Sequence, residues 1–178
     1  LNRPTAIISQ GDYSYRVAFL GYDQGENARG RLVSLDELLG SAYRSTRFGY
    51  DAEGRVRSKR QGGGGAMYAV EYDYAPDTGK LRALTLPSGR VLQYGYGPEG
   101  RVNAITLAGA AGSRPIVSAA GYFPFGPLAR FTFGNGSSYA RGFDSNGQII
   151  SFTLAGTVRS ITRDAAGRIE AIADSMIP

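Results

Sequence analysis

Residues 81–100 read LRALTLPSGRVLQYGYGPEG, and the fold turns on how that stretch is parsed. Leu84 and Leu86 have the period of two of a strand with one buried face. Leu81 lies one step out of phase with them. A bulge just after the preceding turn restores its facing, and such bulges are common beside glycine turns. Ser88-Gly89 then punctuates the chain as a turn dipeptide. Beyond it Leu92, Tyr94 and Tyr96 alternate with Val91 and Gln93, and Gly100 closes the stretch. The sequence is turn, strand, turn, strand: one antiparallel hairpin of about 21 residues.

Moving outward, the same frame recurs. Gly30, Gly54, Gly79, Gly100, Gly126, Gly147 and Gly167 are each followed two residues later by a large aliphatic, at spacings of 24, 25, 21, 26, 21 and 20. Apolar residues sit two, five and seven places after these glycines, as in Val102, Ile105, Leu107; Leu128, Phe131, Phe133; and Ile149, Phe152, Leu154. The last unit begins the same way with Ile169 and Ile172. Second turns fall at Ser88-Gly89, Ala108-Gly109, Asn135-Gly136 and Ala155-Gly156, and Asn-Gly is the strongest short hairpin signal because both residues tolerate positive φ. The closing turns include YDAEGRV (50–56), FDSNGQI (143–149) and RDAAGRI (163–169). Asp at the first position bonds its own backbone two residues on, and Gly at the fourth suits a type I turn.

A period of 20 to 50 residues marks an array of stacked units. The expected organisation is a single array over residues 1–178, about seven repeats, with residues 1–21 as less regular entry strands. SLDELLGSA (34–42) is compatible with a helical turn capped by Ser34, although Leu32 and Leu35 keep the strand spacing. QGGGGAM (61–67) reads as a floppy tip in place of a second turn, and AGAAGSRP (108–115) as a loosened one.

The composition agrees with short strands joined by tight turns. Of 178 residues 26 are Gly, 12 Tyr and 8 Phe, with no Trp. The 42% hydrophobic content is enough to bury an extended core. Cys and His are both absent, which removes thiolate or imidazole zinc sites and every Ser-His or Cys-His arrangement. No apolar run of 18 residues occurs, so no membrane-spanning segment is expected. The opening LNRPTAIISQ lacks both an initiator Met and a signal-peptide order, and reads as a cut edge within a longer polypeptide.

The net charge of +5 and pI near 9.6 raise a nucleic-acid partner as one reading. Against it, Arg31, Arg55, Lys80, Arg101 and Arg168 each follow a repeat glycine, so the cations belong along a row of turns and nucleic acid is an unlikely partner. Gly95-Tyr96-Gly97-Pro98-Glu99-Gly100 has the G-x-G-x-x-G pattern, but the strand-like RVNAITL follows where a helix would be needed. The glycines at 62–65 lack the Lys-Ser/Thr of a phosphate loop. Asp23, Asp51, Asp73, Asp144 and Asp164 belong to turns, and Ser137 and Ser138 have no His base. No catalytic, cofactor or metal residue is assigned, and the chain is not expected to be an enzyme.

YDQGENARGRL (22–32), YDAEGRV (50–56), YDYAPDTGKL (72–81), LPSGRVLQYGY (86–96), YFPFGPL (122–128), FGNG (133–136) and FDSNGQI (143–149) together resemble the RHS/YD-repeat family. The likeness covers nearly all of residues 20–170. It implies an all-β fold in which repeated antiparallel hairpins form one long, curved, spiralling strip, part of a hollow shell. It further implies a bacterial polymorphic toxin, secreted or at the cell surface, whose shell encloses a C-terminal toxin domain. The partners would be the rest of the shell and that cargo. Family members commonly end the shell with an Asp-bearing self-cleavage segment; this chain stops at DSMIP without one. Physics agrees, because about fourteen strands exceed what a twisted open sheet holds without curling.

Other architectures fit less well. LxxLxL (81–86) opens like a leucine-rich repeat, but RVLQYGYGPEG cannot form its return helix. Two hairpins match the length of a propeller blade, yet each hairpin repeats singly and no Trp-Asp signature occurs. A parallel β-helix conflicts with hairpin chemistry every ten residues. The alternative function is an extracellular carbohydrate- or cell-surface-binding module using exposed aromatics and Arg. An isolated array would also present unpaired end strands, which invite edge-to-edge self-association.

Overall fold

The computed structural model describes residues 3–11, 14–124 and 126–176. Fifteen strands and no helix occur among them. Within each of the chain's two units strand order follows sequence order, each strand antiparallel to its partner in every pairing resolved. The all-β array of antiparallel hairpins read from the sequence is the fold of the protein.

By its internal contacts the chain forms two compact units, Leu1–Val91 and Leu92–Pro178. The first holds β1 (Ala6–Gly11), β2 (Ser14–Tyr22), β3 (Leu32–Leu39), β4 (Ala42–Tyr50), β5 (Val56–Gly63), β6 (Ala66–Tyr74) and β7 (Leu81–Thr85). The boundary falls at the start of β8 (Val91–Tyr96). The second unit continues with β9 (Val102–Gly109), β10 (Gly112–Tyr122), β11 (Leu128–Phe133) and β12 (Ser138–Phe143). It ends with β13 (Ile149–Leu154), β14 (Thr157–Arg163) and β15 (Ile169–Asp174). SLDELLGSA is strand, not helix: Leu35 and Asp36 pair across to Thr46 and Ser45.

The out-of-phase first residue of each repeat is resolved as the alternation requires. Tyr22 pairs with Leu32 and Gly21 with Ser34, leaving Val33 as the extra residue. The same slip skips Arg57, Arg82, Ala129, Ile150 and Glu170 in the later repeats. Each is a β-bulge that follows the closing turn and returns the strand to the common phase.

Two tips are tighter than the sequence reading held. The four-glycine segment is no floppy loop: the ladder runs to Gly63–Ala66, and Gly64 and Gly65, at φ of 63° and 92°, make a two-residue turn. Two successive positive φ angles are what a twisted hairpin needs at its end. The third turn lies at Ala110-Ala111, two residues past the expected Ala108-Gly109, because Gly109 and Gly112 pair across it. Asn135-Gly136 and Ala155-Gly156 are turns where expected.

Register divides side chains between two faces. In the first unit one face carries Gly21, Ser34, Asp36, Ser45, Arg47, Gly49, Ser58, Glu71 and Thr85, while Leu20, Leu35, Phe48, Val70, Tyr72 and Leu84 share the other. In the second unit Ile105, Val117, Phe131, Phe133, Tyr139, Phe152 and Leu154 share a face. Phe131 meets Phe133 edge to face at 4.7 Å and Tyr139 at 5.0 Å. The extended core that the hydrophobic content allows is shallow. Among the described residues only Ala28, Leu107, Ser45 and Thr46 are buried, since these ladders carry no second layer over their apolar faces.

Candidate functional site

The repeated corners are where chemistry-bearing side chains converge. Each begins with a closed turn: Asp51 N–H donates to the Arg55 carbonyl at 3.0 Å, and Gly54 N–H to the Asp51 carbonyl at 3.0 Å. The Asp51 carboxylate accepts from Arg55 N–H at 2.8 Å and from Arg55 Nε at 2.7 Å. Asp164 repeats both bonds with Arg168, at 2.9 and 2.8 Å. Partial burial pulls the Asp51 carboxyl upward, but the Arg55 bonds win and hold it below the usual Asp value. At Asp164 the Arg168 backbone and side-chain bonds lower it likewise.

The basic residue after the turn glycine then reaches to the next corner. Arg31 Nε donates to the Gly54 carbonyl at 3.0 Å, while Tyr50 OH donates back to the Leu32 carbonyl at 2.5 Å. One repeat on, Arg55 Nη1 donates to the Gly79 carbonyl at 3.4 Å and Tyr74 OH to the Val56 carbonyl at 2.9 Å. In the second unit Arg101 Nη1 reaches the Gly126 carbonyl at 2.7 Å, and Tyr122 OH the Val102 carbonyl at 2.8 Å. Each guanidinium also lies over the tyrosine ring, at 5.6, 4.4 and 5.1 Å from the centroid. Burial raises the Tyr50 and Tyr74 hydroxyls, which stay protonated donors. We call this reciprocal pair a clasp: two hydrogen bonds and a stacked cation joining successive turns. Its Arg and Tyr are read from the sequence as turn residues, but their pairing is not, because they stand 19 to 21 residues apart.

Two junctions of the second unit differ. From the Gly126 corner to the Gly147 corner, Pro127 occupies the Arg position and Phe143 the Tyr position. Neither clasp hydrogen bond can form, and Phe123 meets Phe143 edge to face at 5.0 Å instead. From Gly147 to Gly167 the donor is reversed: Arg163 Nη2 donates to the Ile149 carbonyl at 3.4 Å and Nη1 to the Gly167 carbonyl at 3.2 Å.

The first unit also has an open cleft of about 490 Å³. The long corner Asp23–Gly30 walls it, and Glu26, Arg57, Arg60, Glu71 and Tyr72 line it. Asp23 accepts from Arg3 and from Gly30 N–H, which fixes that corner. GYGPEG (95–100) is the end of β8 and the turn into β9, with no helix N-terminus to hold a phosphate. Asn135 Oδ1 caps its own hairpin tip by accepting from Ser137 N–H at 3.0 Å and Oγ at 2.7 Å. Among the described residues no group of three or more Asp or Glu gathers to hold a metal ion, and no helix is long and apolar enough to cross a membrane.

Residues 76–113 match the family described as RHS Repeat. No curated protein sequence matches the chain. Among solved structures, the Tc holotoxin pore of Photorhabdus luminescens with a substituted TccC3 superposes with a TM-score of 0.67 at 13% identity. The TcdB2-TccC3 complex without its hypervariable C-terminal region does so with a TM-score of 0.67 at 14% identity. Each match covers 91% of this chain, which spans 11% of the matched chain's length.

Proposed function

We propose that this RHS/YD-repeat protein is a length of wall, a non-catalytic stretch of one continuous, curving array in a shell that encloses a toxin or effector polypeptide. The observation that carries this reading is the ladder itself. Strands pair in sequence order, and clasps tie turn to turn, so the ladders extend by repetition and close around no core of their own. The repeat match and the likeness in fold to TccC3-containing structures support it. So does the engagement of the turn carboxylates: Asp51, Asp144 and Asp164 each accept backbone N–H groups of their own turns. These three carboxylates serve the geometry of their turns.

The mechanism is steric. A continuous hydrogen-bonded wall holds a partly unfolded chain away from water and from other partners, and export carries wall and cargo out of the producing cell together. The test is limited proteolysis of the longest natural polypeptide that contains this array. Cargo sequence is expected to survive at protease levels that cleave it once mild denaturant has loosened the array. Equal cleavage with and without denaturant would exclude enclosure.

A second reading, an extracellular carbohydrate-binding module, rests on the first-unit cleft, where Tyr72 offers a ring beside charged hydrogen-bonding groups. Glycan-array binding that disappears on Tyr72→Ala would favour it.

A further inference from the structure

The junction with Pro127 and Phe143 is weak in three independent ways. It lacks the clasp: Phe143 has no hydroxyl to offer the Leu128 carbonyl, and Pro127 has no guanidinium to reach Gly147. The hairpin it frames has a short ladder, with β11 and β12 in register through only three pairs, Arg130–Ala140, Phe131–Tyr139 and Thr132–Ser138. On its other side β11 meets β10 through a register that slips between Ser118 and Gly121, in addition to the corner bulge before Tyr122 that the other repeats share. Within that slip Ala119 sits at φ 52°, a left-handed conformation that an L side chain rarely adopts.

The two flanking hairpins of the same unit keep longer ladders and an Arg that bridges their corners. β9 and β10 register through five pairs, with one shift between Pro115 and Val117, under the Arg101–Tyr122 clasp. β13 and β14 register through four, with Arg163 bridging both corners. The corner turn itself is not the difference. Phe123 N–H donates to the Pro127 carbonyl at 3.1 Å and Gly126 N–H to the Phe123 carbonyl at 3.0 Å, the pattern of the corners that begin at Asp51, Gly97, Asp144 and Asp164.

We infer that the β11–β12 hairpin is a built-in seam, the element of the second unit that opens first while its neighbours stay paired. Local openings of this kind set which segment of a protein yields before global unfolding. The seam follows from side chains and register, and it holds whether or not the chain encloses a cargo.

Hydrogen-exchange mass spectrometry on the intact chain tests it. Paired amides of β11 and β12 should exchange about tenfold faster than those of β9 and β10, the effect of losing two ordinary hydrogen bonds against one ring contact. The double variant P127R/F143Y installs the missing clasp and should slow exchange in β11–β12 toward its neighbour's rate. The converse R101A/Y122F should raise β9–β10 exchange by a similar factor, which keeps the test decisive if the first variant folds poorly. Equal protection of the two hairpins in the parent protein overturns the inference. So would a clasp-bearing, folded variant whose β11–β12 exchange is unchanged.

Discussion

The β9–β10 and β11–β12 hairpins stand side by side in one unit, share a corner at Phe123–Gly126, and are closed by the same turn hydrogen bonds. One is clasped by Arg101 and Tyr122; the other has Pro127 and Phe143 in those places. The backbone therefore makes a hairpin either way. What varies is how firmly each hairpin is tied along the row of corners, and that tie resides in two side chains per repeat.

The largest expected effect comes from breaking what still holds the unclasped hairpin. Gly134 N–H donates to the Ile116 carbonyl at 2.9 Å, and a Cβ at Gly134 would lie 2.0 Å from the Pro115 carbonyl oxygen, which is backbone and cannot move aside. Gly134→Val should cost about 3 kcal/mol, the upper range for overpacking. Thermal unfolding would show it as a lowered Tm, and an unchanged Tm would mean that the tie is dispensable.

Next in size is Tyr122→Phe, which removes the hydroxyl bond to the Val102 carbonyl and should cost about 1 kcal/mol in urea titration. The mirror change Phe143→Tyr adds a hydroxyl opposite Leu128 without its guanidinium partner. It should gain less than Tyr122→Phe loses; an equal gain would show that the cation adds nothing.

Acid separates the corners by a different property. Asp51 and Asp164 have lowered folded values, so their contribution is complete above the ordinary Asp value of 3.8 and is lost as pH falls through the folded value. The corners that frame β9–β10 begin with Gly97 and Phe123, which do not titrate. Asp164→Asn should therefore flatten the acid limb of unfolding monitored by circular dichroism. The difference between β9–β10 and β11–β12 should survive at low pH.

The smallest effect is a slow one. Asn135-Gly136 is a deamidation-prone pair, yet the Gly136 nitrogen donates to the Phe133 carbonyl and Asn135 Oδ1 is held by Ser137. Peptide mapping after ageing should find Asn135 converting more slowly than in a free peptide of the same sequence, and more slowly still in P127R/F143Y. Conversion at the free-peptide rate would mean that the tip is not held.

Much of this was legible in the residues. The glycine frame gave the direction of the strands and, at about fourteen, nearly their number of fifteen, and the phase error at Leu32, Val56 and Leu81 gave the bulges, because side-chain alternation leaves no other way to keep one face apolar. The tips at 64–65 and 110–111 were misread, since glycine and alanine runs state freedom and only the facing strands fix where it is used. The clasps were out of reach for a different reason. Arg31 and Tyr50 are 19 residues apart, and nothing local says that a cation following one turn will lie over a ring preceding the next. Once seen, the pattern is readable: Pro127 and Phe143 announce the missing clasp by type alone.

The bulge recurs after six corners of different make-up. From the aromatic to the turn glycine the corners differ in length, eight residues at Tyr22–Gly30, five at Tyr74–Gly79 and four at Tyr50–Gly54, yet the same slip follows each of them. The corner loop itself absorbs the difference, because in all three the aromatic pairs with the residue two past the glycine. Corners of unequal length thus leave the downstream strands facing the same way, so residues can be added within a corner without turning the later strands inside out.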